Sequence, residues 1–432
     1  MKDVILITVD CLRAEYIYEM AQNNILAPNL SEILENSLYF SNAITNGPGT
    51  CFAFPVLMMS KLPGELEGTG LPKEGGKTLA EFFSDQGFVT IGINSNGWLS
   101  SEFNYQRGFR YFYDPLNWGK EEYQVKSRVK KFVRKWKGFY KIAKRIQEMI
   151  SAFNLNYAVA YQIAENINDK LYEIISSNNL ASKSKFIWLH YMDAHAPYYI
   201  YKNYIENYPI LRDVTQKKAL ELCRRAVTNF SGLSQAEIDV LKNIYKSEIA
   251  YIDYFIGQIR ERFPDAIMVI TGDHGEEFGE HGRFHTPTFY NEIIRVPLMI
   301  YGLKEKGEDP SLISHVDLGP YLVDLLGFQP DISWRGARDV SKIQYQYANF
   351  SYQERDGIGL MDKEHKLIIT RNKTSLRLRK TDAPVDDPDK MELLNEEIEK
   401  INRIIREGKI EITQQDISDQ IKQQLKDLGY LQ

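Results

Sequence analysis

Cysteine is scarce in this chain: Cys11, Cys51 and Cys223 are the only three among 432 residues. Three thiols scattered over that length form no disulfide framework, and none has the paired spacing of a zinc site. Histidine is sparse too, with seven residues, so any clustering of them carries information. There is no apolar run approaching the roughly 20 residues needed to span a bilayer. The opening "MKDVILITVDC" reaches an aspartate too soon for a secretory leader, which leads to the expectation of a cytoplasmic protein. Nor is there a large excess of one charge: a net −5 gives no general signature of nucleic-acid binding. What the chain does have is 43% hydrophobic and 12% aromatic residues, enough to exclude disorder and to fill a sizeable core. At this length we expect one large α/β domain, residues 1–340, and a smaller C-terminal subdomain, residues 341–432.

Short apolar runs alternate with helix-like segments. "DVILITVD" reads as a buried parallel strand ending in a carboxylate, and "FVTIGINSN", "KFIWLHYMD", "DAIMVITGDHG" and "RVPLMIYG" follow the same plan. "TLAEFFSDQG" is an amphipathic helix with Thr78 as N-cap and Gly87 as its stop. Strands spaced by helices predict a mostly parallel sheet, whose ligands gather beyond the carboxyl ends of its strands. Asp10, Asp193 and Asp273 stand at such ends and predict one shared site. Residues 120–148 are crowded with Lys and Arg between aromatic and aliphatic residues. That segment is either a solvated helical insertion or a basic amphipathic surface for anionic lipid or glycan. Beyond residue 340, "YQYANFSY", "HKLIITRN" and "TSLRLRK" predict antiparallel strands, followed by a charged helix at "MELLNEEIEKINRIIREG".

Two stretches carry chemistry. In "TGDHGEEFGEHGRFH", residues 271–285, Asp273 and His274 lie in a strand-end loop and can both turn toward one ion. A carboxylate beside an imidazole suits Zn²⁺, Mn²⁺ or a similar cation. His281 and His285 follow closely. In "NGPGTCFAFPVLMMS", residues 46–60, a Gly-Pro-Gly turn precedes Thr50 and Cys51. A threonine there is commonly a helix N-cap, and a lone cysteine a small buried hydrophobe. Asn94 and Asn96 in "INSNGW" read as loop formers.

Taken in order, "ILITVDCLRAEY", "APNLSEILENSLYFSNAITNGPGT", "HYMDAHAPY", "TGDHGEEFGEHG", "NEIIRVPLMIYG", "SHVDLGPYLVDLLG" and "LKDLGYLQ" resemble the sulfatase family of the alkaline-phosphatase superfamily, over nearly the whole chain. The resemblance implies an α/β/α sandwich with a large mixed, mostly parallel sheet and a small C-terminal α+β subdomain. It implies Asp10, Thr50, Asp273 and His274 as metal ligands. His195 and His285 would bind the ester oxygens and take part in catalysis, with His281 as a further substrate-binding position. Asp193 and His190 would flank that loop, and Arg13 would sit near the site in a structural role.

Many family members have two acids where this chain has Asp10 and Cys11. One oxygen ligand is thereby lost, which favours Mn²⁺ or Zn²⁺ over Mg²⁺ or Ca²⁺. The usual family motif, Cys-x-Pro-x-Arg or Cys-x-Ala-x-Arg, matures its Cys to formylglycine. Here Pro55 stands where Cys51 would need that arginine, and the register of "PVLMMS" puts Thr50 at the nucleophile position. A metal-bound hydroxyl needs no separate base. The expected function is therefore a metal-dependent hydrolase or transferase of phosphate or sulfate esters with Thr50 as nucleophile. The alternatives are a sulfatase that uses Cys51, and a degenerate protein that binds a glycan or a membrane surface. Expected partners are an ester substrate on a glycan or lipid, with peripheral membrane contact through 120–148 and no nucleic acid.

Overall fold

The computed structural model describes residues 1–21, 25–118, 161–352, 355–412, 417–428 and 430. The basic segment 120–148, with its predicted lipid or glycan surface, lies outside the described residues.

The first strand, Val4–Val9, is buried throughout because successive side chains serve opposite faces of the sheet. Ile5, Ile7 and Val9 enter one core with Ile249 and Ile252 of the long helix Gln235–Arg262. Val4 and Leu6 enter the other with Phe54 and Met58 of helix Thr50–Met59. Helices cover both faces, giving the α/β/α sandwich. The eight strands run in the order Gly307–Asp309, Ser37–Phe40, Leu298–Tyr301, Ile267–Gly272, Val4–Val9, Lys185–Tyr191, Val89–Ile93, Tyr111–Tyr113. Five of the seven neighbour pairings are parallel, and both antiparallel ones are made by Leu298–Tyr301.

Register decides where the site forms. Thr8 pairs with His190 and Val9 with Gly272, so the residues leaving three central strands emerge at one edge. Helix starts are chemically specified as well. Thr78 accepts a hydrogen bond from the Glu81 N–H, and Glu81 accepts one from the Thr78 N–H, a reciprocal box that opens helix Leu79–Asp85 where the sequence predicts it.

The C-terminal sheet is an antiparallel succession of Gln346–Tyr352, Arg355–Met361, His365–Thr370, Lys373–Leu378 and Pro384–Val385. Leu360, Leu367 and Leu376 on one face pack against Leu394, Ile398 and Ile405 of helix Pro388–Glu407. The other face receives Phe289. A Cβ at Gly357 or Gly359 would come within 2.8 or 3.0 Å of that ring, so bare backbone is what lets it seat. The Lys366 ammonium donates to the Phe289 carbonyl at 2.7 Å, and Asp382 accepts from the Asn291 N–H at 2.9 Å. This small sheet thus clamps the loop that carries His285. Among the described residues no helix is long and apolar enough to cross a membrane.

Candidate active site

Thr50 is the first residue of helix Thr50–Met59, and the cap position is Gly49. Thr50 is therefore not the N-cap that a threonine after such a turn commonly is: its hydroxyl is not spent on the helix and is left to face the strand ends. The turn before it needs Gly47, because a Cβ there would lie 2.4 Å from the Phe52 Cβ. The buried Thr50 Oγ1 donates to Asp10 Oδ2 at 3.3 Å. It also lies 3.5 Å from His274 Nε2 and 3.2 Å from the Tyr430 hydroxyl.

Asp10 is fully buried and central. The Asn96 amide donates to its Oδ2 at 2.9 Å; His190 Nε2 is 3.4 Å from the same oxygen, and His274 Nε2 is 3.5 Å from Oδ1. Asp273 Oδ1 accepts from the backbone N–H groups of Cys11 and His274, at 3.2 and 2.7 Å. That leaves Oδ2 turned toward His274 Nε2, 3.7 Å away. Burial works to raise the Asp10 carboxyl, but the imidazoles of His195, His190 and His274 hold it below the usual carboxylate range. Asp273 is pushed up to about 6, by burial and then by the neighbouring Asp10 charge.

Among the described residues Asp10 Oδ1, Asp273 Oδ2 and His190 Nε2 are buried with no hydrogen-bond partner. Buried polar atoms are ordinarily paired, and two carboxylates facing each other with open lone pairs repel. Donor atoms of Asp10, His190 and Asp273 lie within 4.8 Å of one another, as do those of Asp10, Cys11 and His274. Two carboxylates and an imidazole in the first set, and a carboxylate, a thiol and an imidazole in the second, both sharing Asp10, fit a divalent cation.

Two expectations about this cluster change. His190, anchored by a 3.0 Å hydrogen bond between its Nδ1 and Thr8 Oγ1, joins it. Asp193 does not: it accepts from the Ala164 N–H at 3.0 Å and the Tyr201 hydroxyl at 3.1 Å, holding the start of helix Ala164–Ser177. The chain turns at Met192, so the next carboxylate faces that helix rather than the strand edge. Burial raises Asp193 to about 7, against the help of those two donors. A carboxyl raised in the folded state stabilises most at low pH, and that contribution is lost as pH rises through about 7. Urea unfolding from pH 4 to 8.5 should therefore show a stability that falls by no more than about 4 kcal/mol from this group and levels off above about pH 7. Asp193→Asn should flatten the slope; an identical slope in both proteins would exclude Asp193 as its source.

The sequence-predicted His195 and His285 do meet, with ring centroids 4.7 Å apart. His285 Nδ1 is 3.0 Å from Glu276 Oε2, which also accepts from the Tyr198 hydroxyl at 3.3 Å. Burial opposes a proton on His285, but the Glu276 carboxylate outweighs it and the imidazole is raised above its ordinary value. His195, by contrast, is lowered to about 4 by burial, and its Nε2 has no hydrogen-bond partner among the described residues. Cys11 Sγ lies 3.9 Å from His285 Nδ1. His281 departs from the expected set. It stacks on Tyr290 at 3.4 Å, its Nε2 lies 3.2 Å from Glu292, and it lines a neighbouring cleft instead. Arg13 is held by Glu15 and Glu280, in the structural role expected.

Thr50, His274, Glu276, His285 and Tyr430 open on a pocket of about 320 Å³, walled by Phe52, Trp98, Phe284 and Pro287. Cys51 reaches its rim, its thiol pushed up to about 12 by burial. Sequence reasoning missed Asn96, Glu276 and Tyr430 as site residues. Asn96 was open to discovery, since it follows a central strand at its ligand-gathering end. Tyr430 lies in "LKDLGYLQ", one of the family-like stretches, but nothing local places its hydroxyl beside Thr50 and Asp10.

A helix-flanked parallel sheet with acids, imidazoles and a hydroxyl gathered at its strand ends defines an α/β/α scaffold of the alkaline-phosphatase superfamily. Within it the chain belongs to the sulfatase family, whose family model, Sulfatase, matches residues 2–328. Over 102 residues the chain is 29% identical to arylsulfatase K of Mus musculus, a stretch covering 22% of this chain and 18% of that one. Its fold is similar to that of a phosphonate monoester hydrolase from Silicibacter pomeroyi, with a TM-score of 0.67, 16% identity, and coverage of 94% and 96% of the two chains. It is also similar to a protein solved with its substrate D-glucosamine-2-N,6-O-disulfate, with a TM-score of 0.66, 15% identity, and coverage of 94% and 98%.

Proposed function

We propose that this protein is a metal-dependent ester hydrolase or transferase in which the Thr50 hydroxyl is the nucleophile, acting on phosphate esters in preference to sulfate esters. The observation that carries the reading is the contact of Thr50 Oγ1 with Asp10 and His274, two of the groups whose atoms converge as a cation site. A divalent cation held by Asp10, Asp273 and His274, with His190 beside them, would supply Lewis-acid chemistry, lowering the pKa of the hydroxyl and neutralising ester charge. Thr50 attacks the phosphorus or sulfur centre, the bond to the leaving oxygen breaks, and a threonine ester is left for water or an acceptor alcohol to resolve. His285, whose imidazole Glu276 raises above its ordinary value, lines the same pocket and would present a donor to the developing anion. The first backbone N–H groups of helix Thr50–Met59 present further positive potential to the same oxygens.

Support for this ester chemistry comes from the relatives: one structural neighbour is a phosphonate monoester hydrolase, and another takes a disulfated glucosamine as substrate. Without a hemiacetal route, either threonine ester has to be resolved by attack of water or an alcohol at its own phosphorus or sulfur centre, the mode of phosphoryl transfer, and that is the ground for preferring phosphorus. The test is a panel of aryl phosphate mono- and diesters and aryl sulfate, assayed with Mn²⁺, Zn²⁺, Mg²⁺ and Ca²⁺ added to chelator-treated protein. Turnover of a phosphate ester above the sulfate, with Mn²⁺ or Zn²⁺ best, is the expected result. Silence on every ester with every cation would make the chain a degenerate binding protein.

A further inference from the structure

The Thr50 pocket takes one of its walls from the last described segment of the chain. Helix Asp419–Asp427 begins at Ser418, whose hydroxyl accepts from the Ile421 N–H at 3.4 Å. Ile421 and Leu425, four residues apart on one helix face, are fully buried in one core with Trp98 and Leu99. Bare backbone at Gly97 permits that approach, since a Cβ there would lie 3.0 Å from Gln424 Oε1 and 3.1 Å from Leu425 Cδ2. The Gln424 amide also donates to the Ser95 carbonyl at 2.7 Å. The helix therefore stands on the same turn that carries Asn96 to Asp10. Past its end the Tyr430 N–H donates to the Leu425 carbonyl at 2.8 Å, and the Tyr430 ring seats beside His195, with centroids 5.2 Å apart. The pocket of about 320 Å³ is open with Tyr430 in its wall.

Counting protons gives the tyrosine hydroxyl a task. Thr50 has one proton, which goes to Asp10 Oδ2 and leaves the lone pairs of Oγ1 open. His274 Nε2 lies 3.5 Å from Oγ1, but the Nδ1 of that ring is 2.8 Å from the Gly275 carbonyl, which can only accept. The neutral imidazole then has its proton on Nδ1, and Nε2 donates nothing to Thr50. At 3.5 Å the Asn96 amide meets the Tyr430 oxygen as a donor, so that oxygen accepts there and its own proton points elsewhere. Acceptors for it are Thr50 Oγ1 at 3.2 Å and Asp10 Oδ2 at 3.5 Å. Asp10 Oδ2 already receives Asn96 at 2.9 Å, and the nearer acceptor is the nucleophile.

We propose that Tyr430 is a catalytic residue of the second half-reaction, its hydroxyl donating to Thr50 Oγ1 as that oxygen is expelled from the threonine ester. The proposal rests on the Thr50 reading above and assigns its resolution step. Water attacks the phosphorus, a new P–O bond forms, and the P–Oγ1 bond breaks with its electron pair passing to Oγ1. A proton from the water restores the Thr50 hydroxyl, and the tyrosine keeps its own. In the threonine ester Oγ1 is a bridging oxygen with little charge, whereas on departure it gains alkoxide character. The hydrogen bond from Tyr430 is therefore stronger in the transition state than in the ester. During the first attack the same oxygen loses charge, and the donor does less for that step.

The test is Tyr430→Phe in the full chain, which keeps the ring against His195 and Trp98 and removes only the O–H. Parent and variant are mixed with an aryl phosphate, chased, and quenched in acid at successive times; mass analysis of the peptide holding residue 50 follows decay of the threonine ester. That decay should be about 100-fold slower in the variant. Because the ester then accumulates, kcat and KM should fall together and kcat/KM should stay within about fivefold of the parent. A first-order decay constant does not depend on how much of the variant is folded, so a packing defect would leave it unchanged. An ester that decays equally fast in both proteins, or a kcat that falls at constant KM with no ester accumulating, would overturn the role of Tyr430 and leave Thr50 as nucleophile. A parent with no turnover of any aryl ester would instead remove the ester-cleaving reading itself.

Discussion

Thr50→Ala should abolish ester turnover, by on the order of 10³-fold or more, while Cys51→Ala keeps most of it. The two side chains are neighbours on one helix, so the contrast is a direct test of which one reacts. Thr50 Oγ1 stands 3.3 Å from Asp10 and 3.5 Å from His274. Cys51 sits at the pocket rim, and burial pushes its thiol to about 12, leaving almost no thiolate near neutral pH. Losing that partly buried sulfur should cost about 1 kcal/mol of stability. Thr50→Ser, which keeps a hydroxyl, should recover part of the activity and so separate chemistry from packing. The measurements are kcat/KM on the best aryl ester, a thermal melt for each variant, and the mass of the peptide holding residue 51. Unmodified cysteine is expected, since Pro55 and Phe54 occupy the places where the family's arginine would stand. Activity that vanishes with Cys51 and survives loss of Thr50, or formylglycine at position 51, would transfer the role to Cys51.

The second large effect is removal of the cation. Treatment with a strong chelator should bring turnover to background, and adding Mn²⁺ or Zn²⁺ should restore it. Because the cation set exists only in the folded chain, metal at a hundredfold excess over its Kd should also stabilise by about 2.7 kcal/mol, read as a rise in Tm. Asp10→Asn sharpens the test. Asp10 and Asp273 are both fully buried and repel, a cost that the neighbouring imidazoles offset in part. An amide at position 10 removes that repulsion and keeps an acceptor for Asn96. The metal-free variant should therefore be at least as stable as the metal-free parent, yet gain little from added metal and have no activity. A parent enzyme indifferent to chelation, or an Asp10→Asn variant as responsive to metal as the parent, would rule out this site.

Much of the fold was legible because its signals are local. "DVILITVD" is a contiguous apolar run, and a continuous run of that length makes a strand covered on both faces. Thr78 and Glu81 sit three residues apart, so their mutual cap is written in adjacent sequence. Asp273 and His274 were legible for the same reason, being neighbours in one strand-end loop. The differences arose where direction rather than identity mattered. Asp193 has the right type and the right strand end, but the backbone after Tyr191 turns its carboxylate toward the start of helix Ala164–Ser177. His281 belongs to the histidine cluster in sequence, yet its ring goes to Tyr290 and Glu292 and does not line the Thr50 pocket.

From residue order alone came the alternating strands and helices, the acids at strand ends and the placement of Thr50 after a tight turn, since each depends on side chains within a few residues of one another. Tertiary structure alone decided that Asn96, His190 and Tyr430 reach Asp10. Those contacts join residues tens to hundreds of positions apart, and only strand register and the packing of loops across the sheet edge bring their atoms within reach.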